Sequence, residues 1–250
     1  MKTNTKGIKY IPGFYGKKRT STSNLINNCY REWEKRQLDM KKEKLKTKMP
    51  ITICFSRKIG VGALEVADIL AEKINYHVFD REIIEHMASN AKVSEKTVAL
   101  FDELYPGRLN ELGSFLFGEK SFIKSDYSKH LFKTVLSIAH LEHSIFVGRG
   151  AHLILPRDTV LAIRFIAGKE HRINRLAKIL KITKEQADRE LDTIDNEQKD
   201  FFKKVYNKKD ASPYEFDMVI NFDYIRKPQW AADIVEKAFN AKFGKETKGK

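Results

Sequence analysis

Residues 51–74 read ITICFSRKIGVGALEVADILAEKI. The first six, β-branched and aromatic, have the pattern of a short strand. The strand breaks at a basic, glycine-bearing stretch, Ser56-Arg57-Lys58-Ile59-Gly60-Val61-Gly62-Ala63. Leu64, Ala67, Ile69, Leu70 and Ile74 then recur near helical spacing. Strand, glycine loop and helix in that order bring backbone N–H groups together at the positive end of a helix. A phosphate is stabilised there by hydrogen bonds and by the dipole. Arg57 and Lys58 would supply the positive charge that the usual phosphate loop takes from the lysine of GxxxxGKS/T, a pattern this chain lacks.

The alternation repeats downstream. YHVF at 76–79, SIFVG at 144–148, VLAIRFIA at 160–167 and FDMVINF at 216–222 read as four more short strands. Helical patterns lie between and after them, at 82–90, 94–104, 127–143, 169–181, 184–206 and 228–243. Strands interleaved with helices predict an α/β domain with a mainly parallel five-stranded sheet covered on both faces.

Composition bounds the rest. The 250 residues are 42% apolar, enough for a core. Cys29 and Cys54 form no CxxC pair and no Cys/His cluster, so a reducing, cytoplasmic setting is expected. The seven histidines show no HxxxH or HExxH pattern, and no metal ligand is assigned to them. No apolar run reaches the roughly 18–20 residues that span a bilayer, and a soluble protein is expected. The net charge is +14, but residues 1–50 hold 14 Lys or Arg against 4 acids, which is ten of those charges. The basic character therefore belongs mostly to the N-terminal stretch, and it is weak evidence that the folded part binds nucleic acid. Residues 1–28 are polar with scattered Gly and Pro and read as loosely ordered; residues 30–48 are rich in helix formers.

The order of the segments resembles the cytidylate kinase-like family of P-loop nucleoside monophosphate kinases. That family carries SRxxGSGGxxIA in its first loop, an aromatic-Asp-Arg/Lys-Glu segment some twenty residues on, then VGRGA, an RI-rich helix and an Asp-led basic helix. This chain shows Ser56-Arg57, Gly60-Val61-Gly62-Ala63 and Ala67, then Phe79-Asp80-Arg81-Glu82, then Val147-Gly148-Arg149-Gly150-Ala151. Arg164 in the fourth strand, Arg172 and Arg175 in the next helix, and Asp195 leading NEQKDFFKKVY follow in the same order. The resemblance covers roughly 190 residues. It implies a three-layer P-loop kinase-like fold over 50–245, with a helical substrate-binding segment at about 83–143. A basic, partly disordered or helical extension (1–49) would precede it, and a flexible tail (246–250) would follow.

The function implied is ATP-dependent phosphoryl transfer to a nucleoside monophosphate, with CMP or dCMP as the family-level acceptor and Mg²⁺ bridging the donor phosphates. Such chemistry needs positioning and positive charge more than covalent catalysis. Ser56, Arg57, Lys58, Gly60, Val61, Gly62 and Ala63 are expected to bind ATP, with Arg57 on the β/γ-phosphates. Asp80, Arg81, Gly148, Arg149 and Gly150 are expected at the acceptor, with Arg149 on its phosphate. Arg172, Arg175 and Asp195, helped by Lys203 and Lys204, are expected to close over the phosphates. Three residues depart from the family pattern: Val61 and Ala63 replace Ser and Gly, and Gln198 stands where an arginine is usual. They open a second reading, a nucleotide-binding domain with weak or no turnover. A third is a protein that meets a polyanion or a protein partner through residues 1–49. The oligomeric state is not legible.

Overall fold

The computed structural model describes residues 49–89 and 125–247, together with Arg31. The helices expected at 30–48 and 94–104, Cys29 and residues 90–124 of the expected substrate segment lie outside the described residues. Five strands, β1 (Thr52–Arg57), β2 (His77–Asp80), β3 (Ser144–Val147), β4 (Val160–Ile166) and β5 (Met218–Asn221), form one sheet in the order β2-β3-β1-β4-β5. Every pair in it is parallel. The helices are α1 (Ala63–Ile74), α2 (Arg81–Ser89), α3 (Asp126–Leu141), α4 (Ala151–Ile154), α5 (Lys169–Leu180), α6 (Lys184–Tyr206) and α7 (Pro228–Thr247).

β1 is buried from Thr52 to Ser56, with apolar side chains on both of its faces, because both faces are covered. Ile53 and Phe55 point into a core shared with Val66, Ala67 and Leu70 of α1 and Ala231, Val235 and Phe239 of α7. Cys54 points to the other side, into a core with Ile84 of α2, Leu131, Phe132 and Val135 of α3, and Phe202 and Tyr206 of α6. These two cores make the three-layer arrangement. A smaller third cluster joins Leu176 of α5 and Ala187, Leu191 and Ile194 of α6 to Ile59, a residue of the glycine loop. The α5–α6 hairpin is therefore packed directly on that loop.

Topology locates the site. The chain leaves β1 through α1 toward β2 and leaves β4 through α5 and α6 toward β5, on opposite sides. A crevice opens where two adjacent strands send their connections apart, at the carboxyl ends of β1 and β4. Ser56 and Arg57, at the end of β1, pair in register with Arg164 and Phe165 there.

Candidate functional site

The glycine loop is anchored at its start, where the Lys58 amide donates to the Phe165 carbonyl at 3.3 Å. Beyond that point the chain turns through Gly60 and Gly62, both at positive φ, and Gly62 caps α1 without a side-chain hydrogen bond. Among the described residues no acceptor takes the backbone N–H groups of residues 59–64. A helix start with unsatisfied amides and a positive dipole end is an anion site in waiting. The glycines, however, make room for α5. A Cβ at Gly60 would stand 3.2 Å from the Arg172 carbonyl oxygen, and one at Gly62 would stand 3.0 Å from Arg175 Nε.

The arginines expected over the phosphates have different tasks. Arg172 is buried, and its Nη1 donates to the Ile59 carbonyl at 3.2 Å and to both Asp195 oxygens at 3.1 and 2.9 Å. This pair ties the hairpin to the loop. Its Nε is buried without a partner among the described residues. Arg175 pairs with Glu65 of α1 at 2.9 Å. Lys203 and Lys204 are exposed in the last turn of α6. The Ser56 hydroxyl is already engaged, accepting from Arg164 Nη1 at 2.7 Å, while Arg164 also reaches Asp210 at 3.3 Å. Gln198 donates from Nε2 to the Arg57 carbonyl at 3.0 Å.

The second half of the site is the turn after β3. Gly148, Arg149 and Gly150 are three consecutive residues at positive φ, an uncommon state for an arginine. The turn is held at both ends. The Gly148 amide donates to the Phe55 carbonyl at 2.8 Å, and the Tyr206 hydroxyl donates to the Arg149 carbonyl at 2.5 Å. The Arg149 guanidinium lies 4.1 Å from the centre of the Phe201 ring and pairs with Glu85, and its Nε has no partner among the described residues. Glu85 also accepts from Arg81 Nε at 3.3 Å, one turn earlier on α2. Burial pulls the Arg149 guanidinium down to about 9, with the charges of Arg81 and Arg57 adding repulsion. It keeps its proton at neutral pH, and an anion bound beside it would relieve that penalty.

Arg57, Arg81 and Arg149 thus line one cleft, together with Ser56, Ile59, Gly148, Gln198 and Phe202. Arg57 has no ion-pair partner among the described residues. Asp80 is buried, and its Oδ1 accepts from the Ile83 amide at 3.0 Å, capping α2. Gln198 and Phe202 also line a second cleft, with Lys58, Arg164, Asp195, Lys199 and Asp210. Three contributors were not found in the sequence as site residues: Glu85, Phe201 and Tyr206. Glu85 carries a local signal, its i,i+4 spacing from Arg81. Phe201 and Tyr206 lie within the Asp-led basic segment, but spacing marks its lysines rather than its aromatic residues.

The cytidylate kinase-like family model matches residues 52–224, which span all five strands and both clefts. The chain belongs to the cytidylate kinase-like family. Among solved structures, it is similar to an uncharacterized protein from Eubacterium ventriosum, at 19% identity and TM-score 0.60 over 76% of this chain and 98% of that one. It also matches shikimate kinase from Bacteroides thetaiotaomicron (13% identity, TM-score 0.44) and dephospho-CoA kinase from Campylobacter jejuni (19%, TM-score 0.34), each over 76% of this chain and 98% of the other. The fold likeness rests on the first of these. A search of curated proteins found no match. Family membership supports a nucleotide-kinase type of function, and no helix among the described residues is long and apolar enough to cross a membrane.

Proposed function

We propose that the protein transfers the γ-phosphoryl group of ATP to a nucleoside monophosphate, with CMP or dCMP as the acceptor. The observation that carries this reading is the convergence of Arg57, Arg81 and Arg149 on one cleft beside the open amides of residues 59–64. Two phosphate groups brought together repel each other, and guanidinium groups between them stabilise the charge at transfer. The loop amides and Arg57 would hold the donor. Arg149, with Arg81, would hold the acceptor phosphate, which takes the place of the Glu85 carboxylate. Asp80 caps the helix that carries Arg81, and Gly148 and Gly150 flank Arg149 in the turn after β3.

Mg²⁺ fits this site as an ion carried on the donor phosphates. Val61 offers no hydroxyl, both Asp195 oxygens accept from Arg172, and the described residues hold no cluster of three metal-ligating side chains. When bound, the ion would neutralise charge on the donor phosphates.

A second reading, nucleotide binding with little turnover, is favoured by two features of the same cleft. Gln198 brings a neutral amide to the Arg57 carbonyl where the family resemblance expects a cation, and Glu85 already occupies Arg149. A coupled ADP-release assay across CMP, dCMP, UMP, AMP and GMP decides between the two. Acceptor-dependent ADP release supports the kinase, whereas ATP binding in calorimetry without release selects the binder.

A further inference from the structure

We infer that Tyr206 is a positioning residue for the acceptor arginine, acting from the same helix that holds the donor loop. This rests on the kinase reading of the cleft. Gln198 and Tyr206 lie eight residues apart on α6, just over two turns and so roughly 80° apart around the helix, within one broad side of it. Each donates a neutral side-chain hydrogen bond to a main-chain carbonyl, Gln198 to Arg57 at 3.0 Å and Tyr206 to Arg149 at 2.5 Å. One rigid helix therefore sets the backbone of both arginines.

The Tyr206 contact fixes a strained conformation. Arg149 sits at φ 52°, a left-handed state that an arginine adopts only when its surroundings enforce it. Two constraints do so here. The phenol captures the Arg149 carbonyl, and the ring fills the place where a Cβ on Gly150 would lie, 2.6 Å from its nearest atom. The ring cannot drift, because Phe132, Phe201 and Phe202 surround it at centroid distances of 6.0, 6.1 and 5.4 Å. Phe201 in turn lies under the Arg149 guanidinium. Burial also raises the phenol well above its ordinary range, so it remains a neutral donor at working pH. Removing the hydroxyl should let the carbonyl turn, and the guanidinium would leave the direction in which it meets an acceptor phosphate.

The test is steady-state kinetics of Tyr206→Phe with Mg-ATP and CMP varied separately. This change keeps the ring and removes one hydrogen bond, so the KM for CMP should rise roughly 3- to 10-fold while the KM for ATP stays within about twofold. Gln198→Ala should show the opposite pattern, moving the ATP dependence. A merely structural role would reduce the active fraction, which lowers kcat and leaves both KM values in place. If Tyr206→Phe fails to fold, Phe201→Leu carries the test, with the same selective rise expected. An unchanged KM for CMP, or equal changes in both KM values, overturns the inference alone. A wild-type chain that transfers phosphate to none of the five monophosphates overturns the kinase reading and this inference with it.

Discussion

Replacing Gly150 by alanine should be among the most damaging one-carbon additions in the protein, and its magnitude can be worked from two terms. The first is backbone strain. Gly150 has φ +68°, and a side chain in the left-handed region costs about 1–2 kcal/mol. The second is collision. The new Cβ would meet Tyr206 Cε2, Cζ and Oη at 2.6, 2.7 and 2.8 Å, and that ring is packed on its other sides. Forcing a carbon into a filled core costs a further ~1–3 kcal/mol. Gly148 supplies the control, since it also has a positive φ, +98°, but nothing lies within 4 Å of its Cβ position. Gly148→Ala should therefore lose only the strain term. In urea unfolding, Gly150→Ala should be less stable by roughly 2–5 kcal/mol, which is about 4–20 °C in Tm for a domain of this size. Equal losses for the two variants would refute the packing of Tyr206 against the turn.

Arg57→Ala should weaken ATP binding by about 1.5–3 kcal/mol if it makes one charge-assisted hydrogen bond to the donor, and unchanged affinity in calorimetry would remove it from the site. Arg149→Ala should fall mainly on the monophosphate, seen as a rise in the CMP dependence; an effect confined to ATP would reverse the assignment. Asp195→Ala leaves the buried Arg172 charge unpaired. It should destabilise toward the low end of about 3–5 kcal/mol, because the Asp195 side chain is still 18% exposed, and thermal unfolding reads the loss. Glu215 gives a pH prediction. Partial burial raises its pKa, but hydrogen bonds from His152, Lys208 and the Ser212 amide outweigh this and lower it from 4.5 to about 2. A depressed carboxylate stabilises the fold fully above 4.5 and loses that contribution as pH falls toward 2. Glu215→Gln should remove about 1–2 kcal/mol of that acid dependence once solvent screening is allowed for, and parallel acid titrations of fluorescence that superimpose would refute it.

The parts of this structure legible in the sequence are those fixed by local or face-by-face burial. β1 announces itself because a strand covered on both faces favours β-branched and apolar residues throughout, and ITICF, apolar except for the β-branched Thr52, is such a run. α6 has the bounds its pattern predicts, since Thr183 and Gln186 form a capping box at its start and Asn207 closes it in a left-handed conformation. α7 continues past 243 to Thr247, where polar residues prolong the helix without apolar marks to reveal it. β2 includes Asp80, one residue beyond the apolar run, because the same residue ends the strand and caps α2. The candidate site is legible in the sequence as a set of arginines but not in the partners each of them meets. Arg172 and Arg149 differ in role because of partners far away in sequence: Ile59 lies 113 residues from Arg172, and Tyr206 lies 57 from Arg149. Spacing cannot show which carbonyl a guanidinium or phenol will find. The glycines of the loop mark a turn in the sequence, but the residues that their Cβ directions face, Arg172 and Arg175, come from a helix far along the chain.

The measurement closest to the central claim is transfer of label from γ-³²P-ATP, with Mg²⁺, to CMP and dCMP, with the products resolved by chromatography. Labelled CDP or dCDP should form with the wild-type chain, and its rate should collapse in Arg149→Ala while ATP still binds. Bound ATP with label that never leaves it for any monophosphate, or transfer that survives the loss of Arg149, would contradict the account.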